Sequence, residues 1–198
     1  MILDMTKKTK VSIQKCPDYS RDALAQAVKN CVDLIGGISN FVSAGQKVLI
    51  KPNILSARKP QEAVCTHPEF IRAVVKLVKT QTDRILIGDS PGGFQLRDLD
   101  GVYEASGIKG VAEDEGVRTV KFNVAENIKG FPIARPVKDA DVIISLPKMK
   151  THNLTILTGA VKNKFGSVVG LHKAECHLKY KRLKEISSVL VDVFSIAK

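Results

Sequence analysis

Three short runs constrain this chain most: KVLIK at 47–51, RILIG at 84–88 and DVIISL at 141–146. Each is apolar through its middle rather than at alternate positions. A strand with one wet face alternates. A strand apolar on both faces belongs to a parallel sheet covered by helices on either side. Helical patterns separate the runs. Ser20 opens one at 20–35, with Gly36-Gly37 as its stop. Thr66 and Glu69 form a capping box for a helix to about 79, with Ile71, Val74, Val75 and Val78 on one face. Further helices are expected at 98–106, 153–162 and 176–198, and further strands at 11–15 and 118–122. The reading is an α/β fold, an open, mainly parallel sheet with helices on both faces. It covers 11–198 as one domain, with residues 1–10 as a tail. Residues 55–66 form the longest irregular stretch, a length typical of binding loops.

Each apolar run ends in a polar segment: Lys51-Pro52-Asn53, Gly88-Asp89-Ser90-Pro91-Gly92-Gly93, and Pro147-Lys148-Met149-Lys150-Thr151-His152. Open parallel sheets bind ligands beyond the carboxyl ends of their strands. The three segments are therefore expected around one crevice. Lys51, Lys148 and Lys150 would supply positive charge, and Asp89 a base or a metal ligand. Asn53, Ser90, Thr151 and Asn163 would supply hydrogen bonds. Gly92, Gly93 and Gly159 would allow close backbone approach to an anion.

The net charge is +11, and residues 145–184 hold eight lysines and one arginine against Glu175 alone. Such a field attracts anions. It does not signal a nucleic-acid binder: Trp is absent, aromatics are few, and no helix-turn-helix, zinc-finger or RRM pattern occurs. Lys179, Lys181, Arg182 and Lys184 read as the wet face of a helix. Three of the four histidines lie at 152–177. His152, His177 and His67 are candidate metal ligands, since neutral imidazole suits nickel, zinc and iron. Lys162 and His152 join Asp89 as candidate catalytic groups, the lysine for anion contact or covalent attachment.

Two enzyme motifs fail. Gly88-Asp89-Ser90-Pro91-Gly92 matches G-x-S-x-G, but the residue after the serine must donate its N–H to an oxyanion and proline has none. Gly166 to Lys173 lacks the Gly-Lys-Ser/Thr of a P-loop. Cys16, Cys31, Cys65 and Cys176 are far apart and define no iron–sulfur ligand set. No run approaches the roughly 18 apolar residues of a membrane span, and the start lacks a signal-peptide pattern. A cytoplasmic protein is expected.

IKPN at 50–53, THPEFIRAVV at 66–75, GDSPGG at 88–93, SLPKMKTH at 145–152, TGAVKNKFG at 158–166 and GLHKAECH at 170–177 resemble the domain-of-unknown-function 362 family. The resemblance spans nearly all of 11–198. It implies a cytoplasmic bacterial or archaeal protein, often linked to a ferredoxin-like iron–sulfur module and a redox role, with no assigned reaction. Members usually continue past the last helix into further sheet and cysteine motifs, so this chain is expected to be truncated and to lack the cluster. The order His152, Lys162, His177 is also similar to the lysine-and-histidine layout of nickel-pincer lactate racemases. There a lysine holds the pincer nucleotide and a histidine ligates nickel.

Three functions are consistent with these readings. The first is a redox- or cofactor-linked enzyme domain with an anionic, phosphate- or carboxylate-bearing ligand at the strand ends. The second is a partner or electron-transfer accessory to a ferredoxin-like protein. The third, least favoured, is a nucleic-acid binder. Leu183, Ile186, Leu190, Val193 and Ala197 form an apolar stripe on the last helix, expected to face a second copy in part.

Overall fold

The three apolar runs form neighbouring parallel strands. The computed structural model describes residues 9–92 and 98–197. In chain order it contains α1 (Arg21–Asp33), β1 (Val48–Pro52), α2 (Pro68–Lys79), β2 (Ile85–Ile87), α3 (Leu99–Ala105), α4 (Ile108–Asp114) and β3 (Arg118–Thr119). Then come β4 (Ala125–Ile128), β5 (Phe131–Ala134), α5 (Arg135–Asp139), β6 (Val142–Leu146), β7 (Lys150–His152), β8 (Ile156–Thr158), α6 (Ala160–Lys164), α7 (His172–Lys179) and α8 (Leu183–Ile196).

The main sheet runs β3-β2-β1-β6 with every pair parallel. Val48 sits opposite Ile85 and Val142, and Ile50 opposite Ile87 and Ile144. Side chains alternate across a strand, so the apolar runs feed two cores. Val48, Ile50, Ile85 and Ile87 pack with Leu24 of α1, Ile71 and Val75 of α2, and Val111 of α4. Leu49, Leu86 and Ile143 face the other core, with Val137 of α5 and Ile186 and Val193 of α8. Each fully buried Val, Leu or Ile contributes about 1.5–3 kcal/mol. The fold is α/β with helices on both faces, as the apolar runs predict. The chain leaves β1 to one side through α2 to β2, while β6 lies on the other side. Beside such a reversal the carboxyl ends of the strands leave an open crevice.

The expected elements at 98–106 and 118–122 form, in shortened versions, as α3 and β3. Others differ. Residues 11–15 make no strand, and Val11 and Ile13 are exposed. Alternation alone does not make a strand when the apolar side chains find no cover. Ser20 precedes α1 without a side-chain cap, and its own N–H is taken by Asp18 Oδ1 at 2.8 Å. Thr66 does not cap α2 either. His67 is the N-cap, its Nδ1 accepting from Glu69 N. The Thr66 hydroxyl instead donates to Leu146 O at 2.6 Å and accepts from Asn53 N at 2.9 Å, stitching the ends of β1 and β6 together.

The helix expected at 153–162 is replaced by the hairpin β7–β8, and α6 starts only after Gly159. Thr151, Thr155, Ile156 and Thr158 are β-branched and favour strand over helix. The helix expected at 176–198 is two helices, broken at Tyr180 and Arg182. A continuous helix would set Lys179 over Arg182 and Lys181 over Lys184, like charges at adjacent turns. Four of the five stripe residues, Ile186, Leu190, Val193 and Ala197, are buried within the chain itself, and only Leu183 is exposed. The stripe covers its own sheet, so it gives no ground for a second copy. The antiparallel β4–β5 hairpin had no sequence expectation.

Candidate functional site

Lys51 continues the face of β1 that carries Leu49, which places an ammonium inside a core. It is 0% exposed. A buried charge is tolerated when paired and hydrogen-bonded. The partner comes from the end of β2: Lys51 Nζ lies 2.5 Å from Asp89 Oδ1. The second carboxylate oxygen accepts Ile54 N at 2.8 Å. Behind the pair the buried Tyr103 hydroxyl accepts Asp89 N at 3.0 Å and donates to Val120 O at 3.1 Å. Burial pushes this phenol well above its ordinary value. Asn163 of α6 closes the other side, its amide donating to Lys51 O at 3.1 Å and Ser145 Oγ at 2.9 Å. Gly166 packs against the pair itself; a Cβ there would lie 2.2 Å from Asp89 Oδ1 and 2.6 Å from Lys51 Nζ.

Above this pair opens a cavity of about 460 Å³, lined from the ends of β1 and β2, from the β7–β8 hairpin and from α6 and α7. Lys162 and Lys173 stand on its wall with Asp89, Ser90, His152 and His177. Lys173 Nζ donates to Ser90 O at 2.6 Å, Ser90 Oγ at 2.8 Å and Pro91 O at 3.0 Å, all uncharged acceptors. Burial brings its pKa down to about 8; nearby Asp89 opposes this, and Lys51 and Lys162 add to it. The Lys162 ammonium makes no hydrogen bond or ion pair with any described residue. Burial, then the Lys150 charge, lowers its pKa, against the pull of Asp89.

The two histidines are uncharged near neutrality. His152 is held down to about 4 by burial and by Lys162, His177 and Lys150. Its Nδ1 accepts from Leu154 N at 3.2 Å and Thr155 N at 3.3 Å, fixing the hairpin turn. The single ring proton therefore sits on Nε2, which makes that nitrogen a donor. Burial, Lys162 and Lys173 likewise lower His177. Its ring lies 6.2 Å from that of His152 and edge-on to Phe165, and its Nδ1 is buried without a partner. Thr158 Oγ1, also on the cavity wall, is buried without a partner too.

Of the expected residues, Asn53, Asp89, Ser90, Gly92, His152, Lys162, Asn163 and His177 line this cavity. Lys51 does not; it is sealed beneath and holds Asp89. With both oxygens engaged, Asp89 is a positioning group rather than a free base. The Gly92 N–H is taken by Leu55 O at 3.0 Å, so it is not free for an anion. Lys150 turns away to donate to Val64 O at 2.6 Å, and Thr151 points to solvent. Gly159 caps α6 outside the wall. Gly93 lies outside the described residues.

Lys148 and His67 sit elsewhere, around a second cavity with Tyr19. His67 stacks on Tyr19 at 3.9 Å, and Lys148 Nζ reaches the Tyr19 hydroxyl at 3.2 Å. The three histidines are thus not one metal set. Both His67 and His152 use Nδ1 as an acceptor, which leaves Nε2 protonated and unable to ligate. Among the described residues no group of three or more His, Cys, Asp or Glu is placed to hold a metal. His177, by contrast, keeps a buried Nδ1 without a hydrogen-bond partner among the described residues. The four cysteines are all free thiols. Sequence reasoning missed Lys173 and Gly166. Lys173 lies in GLHKAECH, but its three acceptors are 82 and 83 residues away in sequence.

Residues 48–198 match the family model described as "Domain of unknown function (DUF362)". The chain belongs to this family. Every residue lining the main cavity falls within the DUF362 segment. The chain is also 32% identical over 175 residues to a thylakoid-associated protein of Synechocystis sp., covering 85% of this chain and 54% of that relative. It therefore spans about half the length of the curated relative it matches. No solved structure matches the chain. No helix among the described residues is long and apolar enough to cross a membrane.

Proposed function

We propose that this DUF362 domain binds a small anionic, phosphate- or carboxylate-bearing ligand in the cavity at the strand ends, as a cofactor- or substrate-binding enzyme domain. The observation that carries this reading is Lys162, a half-buried ammonium on the cavity wall with no anion of its own among the described residues. Of the three lysines around Asp89, only the buried Lys51 pairs with that carboxylate, whose other oxygen accepts Ile54 N; Lys162 and Lys173 have no carboxylate contact among the described residues. A ligand carboxylate or phosphate supplies the missing counter-charge. His152 adds an Nε2–H donor from a neutral ring. The lysines and arginine at 179–184 are exposed and line no part of this cavity.

Titration calorimetry with inorganic phosphate and with acetate tests the reading. Wild type binds at least one of them with one-to-one stoichiometry. Lys162→Ala weakens binding about tenfold or more, the scale of one lost charge-assisted hydrogen bond. Lys148→Ala, in the second cavity, leaves it unchanged. Equal binding by wild type and Lys162→Ala contradicts the reading.

A further inference from the structure

The main cavity pairs a cluster of buried polar groups with an apolar wall. Asp89, Ser90, Thr158 and Asn163 are buried in its lining beside the equally buried Ile54 and Phe165. Its most exposed lining residues are apolar. Leu55, from the loop after β1, is 47% exposed, and Leu178, from α7, is 73% exposed. The two come from separate elements, and Ile54 and Phe165 continue the apolar wall inward. Ile156, paired in register with His152 on the hairpin, is 68% exposed. Single exposed leucines are ordinary; apolar side chains from separate elements around the mouth of a basic cavity are a binding signature.

We infer that the ligand is an amphiphilic anion, a phosphate or carboxylate head carrying an alkyl or aryl body, rather than a compact inorganic ion or a sugar phosphate. This rests on the anion site proposed above and adds the chemistry of the rest of the ligand. The head lies against Lys162 and the buried polar groups. The apolar body passes between Leu55 and Leu178 and takes both out of water. A hydroxylated body would leave its polar groups facing leucine without partners, which opposes binding.

A series of phosphate, butyl phosphate and octyl phosphate, titrated by calorimetry below micelle formation, tests this. Each buried methylene is worth up to about fourfold in affinity, so octyl phosphate binds at least tenfold tighter than phosphate, at one-to-one stoichiometry. Leu55→Ser with Leu178→Ser, both at exposed positions, abolishes that chain-length gain while phosphate itself still binds. Lys162→Ala weakens all three ligands. Phosphate binding with no gain along the series overturns this inference and leaves the anion site standing. Absence of binding by every ligand overturns both. A chain-length gain that survives the double leucine variant overturns the placement of the body at this rim. Capture of phosphatidic-acid vesicles by wild type but not by the leucine variant supports a bilayer lipid as the source, and octyl phosphate binding without vesicle capture supports a soluble one.

Discussion

Gly166 stands against the Asp89 carboxylate so closely that a Cβ at that position would fall 2.2 Å from Oδ1. The other close atom, Lys51 Nζ, is itself locked to Asp89. Neither can retreat, because both side chains are buried and their polar atoms engaged. Gly166→Ala is therefore expected to destabilise the protein by about 1–3 kcal/mol, the usual cost of forcing a packed site apart. It should also weaken anion binding, since the displaced Asp89 lines the cavity. Urea unfolding beside phosphate titration checks both, and an Ala variant of wild-type stability would refute the packing argument.

Lys51 and Asp89 sustain each other in a space where the lysine has no other ion-pair partner among the described residues. Removing one partner of a buried pair typically costs about 3–5 kcal/mol because the other is left charged and unpaired. Lys51→Met and Asp89→Asn should each lose stability on that scale. The combined variant should lose less than the sum of the two. Additive losses in chemical denaturation would show that the two residues act independently.

Protonation of the lysine wall sets an upper pH bound on anion binding. Lys173, brought down to about 8 by burial, loses its charge as pH rises through that value in the unliganded protein. Phosphate affinity should fall between about pH 7.5 and 9, although phosphate itself stays charged. Lys173→Met should bind more weakly at pH 7 and show a flatter pH profile. A profile unchanged by the substitution would remove Lys173 from the site.

His152 gives the acid side of stability. In the unfolded chain an imidazole takes up its proton near 6.5. In the folded protein it does so only near 4, held down by burial and neighbouring positive charge. Between these values the unfolded state binds more protons, so stability is full above about 6.5 and is lost as pH falls toward 4. His152→Asn keeps a hydrogen-bond acceptor for the turn amides and should remove part of this acid sensitivity. Thermal melts from pH 7 to 4 show whether the two proteins converge as acid is added.

The sheet was legible because β1, β2 and β6 pack against apolar cores on both faces, and that leaves a mark in each run without reference to the rest of the chain. The ends of those strands were legible for the same reason. The partners were not. Thr66 and Glu69 satisfy the spacing of a capping box, yet the Thr66 hydroxyl serves Leu146, 80 residues on. Lys51 reads as a ligand contact until its strand face is known; then it is a core residue that needs Asp89. Lys148 and Lys150 follow the end of β6 together with His152, but the turn between β6 and β7 takes Lys148 to Tyr19, and Lys150 is drawn to Val64 O. Lys173 carries no local signal, because its acceptors belong to the Ser90-Pro91 turn on another strand. The mismatch between three cations and one engaged carboxylate exists only in three dimensions.

The most direct test of an anion site at the strand ends is an amide NMR titration of the protein with phosphate at pH 7. Saturable shifts concentrated at Ile54, Asp89, Ser90, Lys162, Gly166 and Lys173, and absent in Lys162→Ala, are the predicted result. Shifts confined to the solvent-facing basic run at 179–184, or no saturable shifts at all, would contradict it.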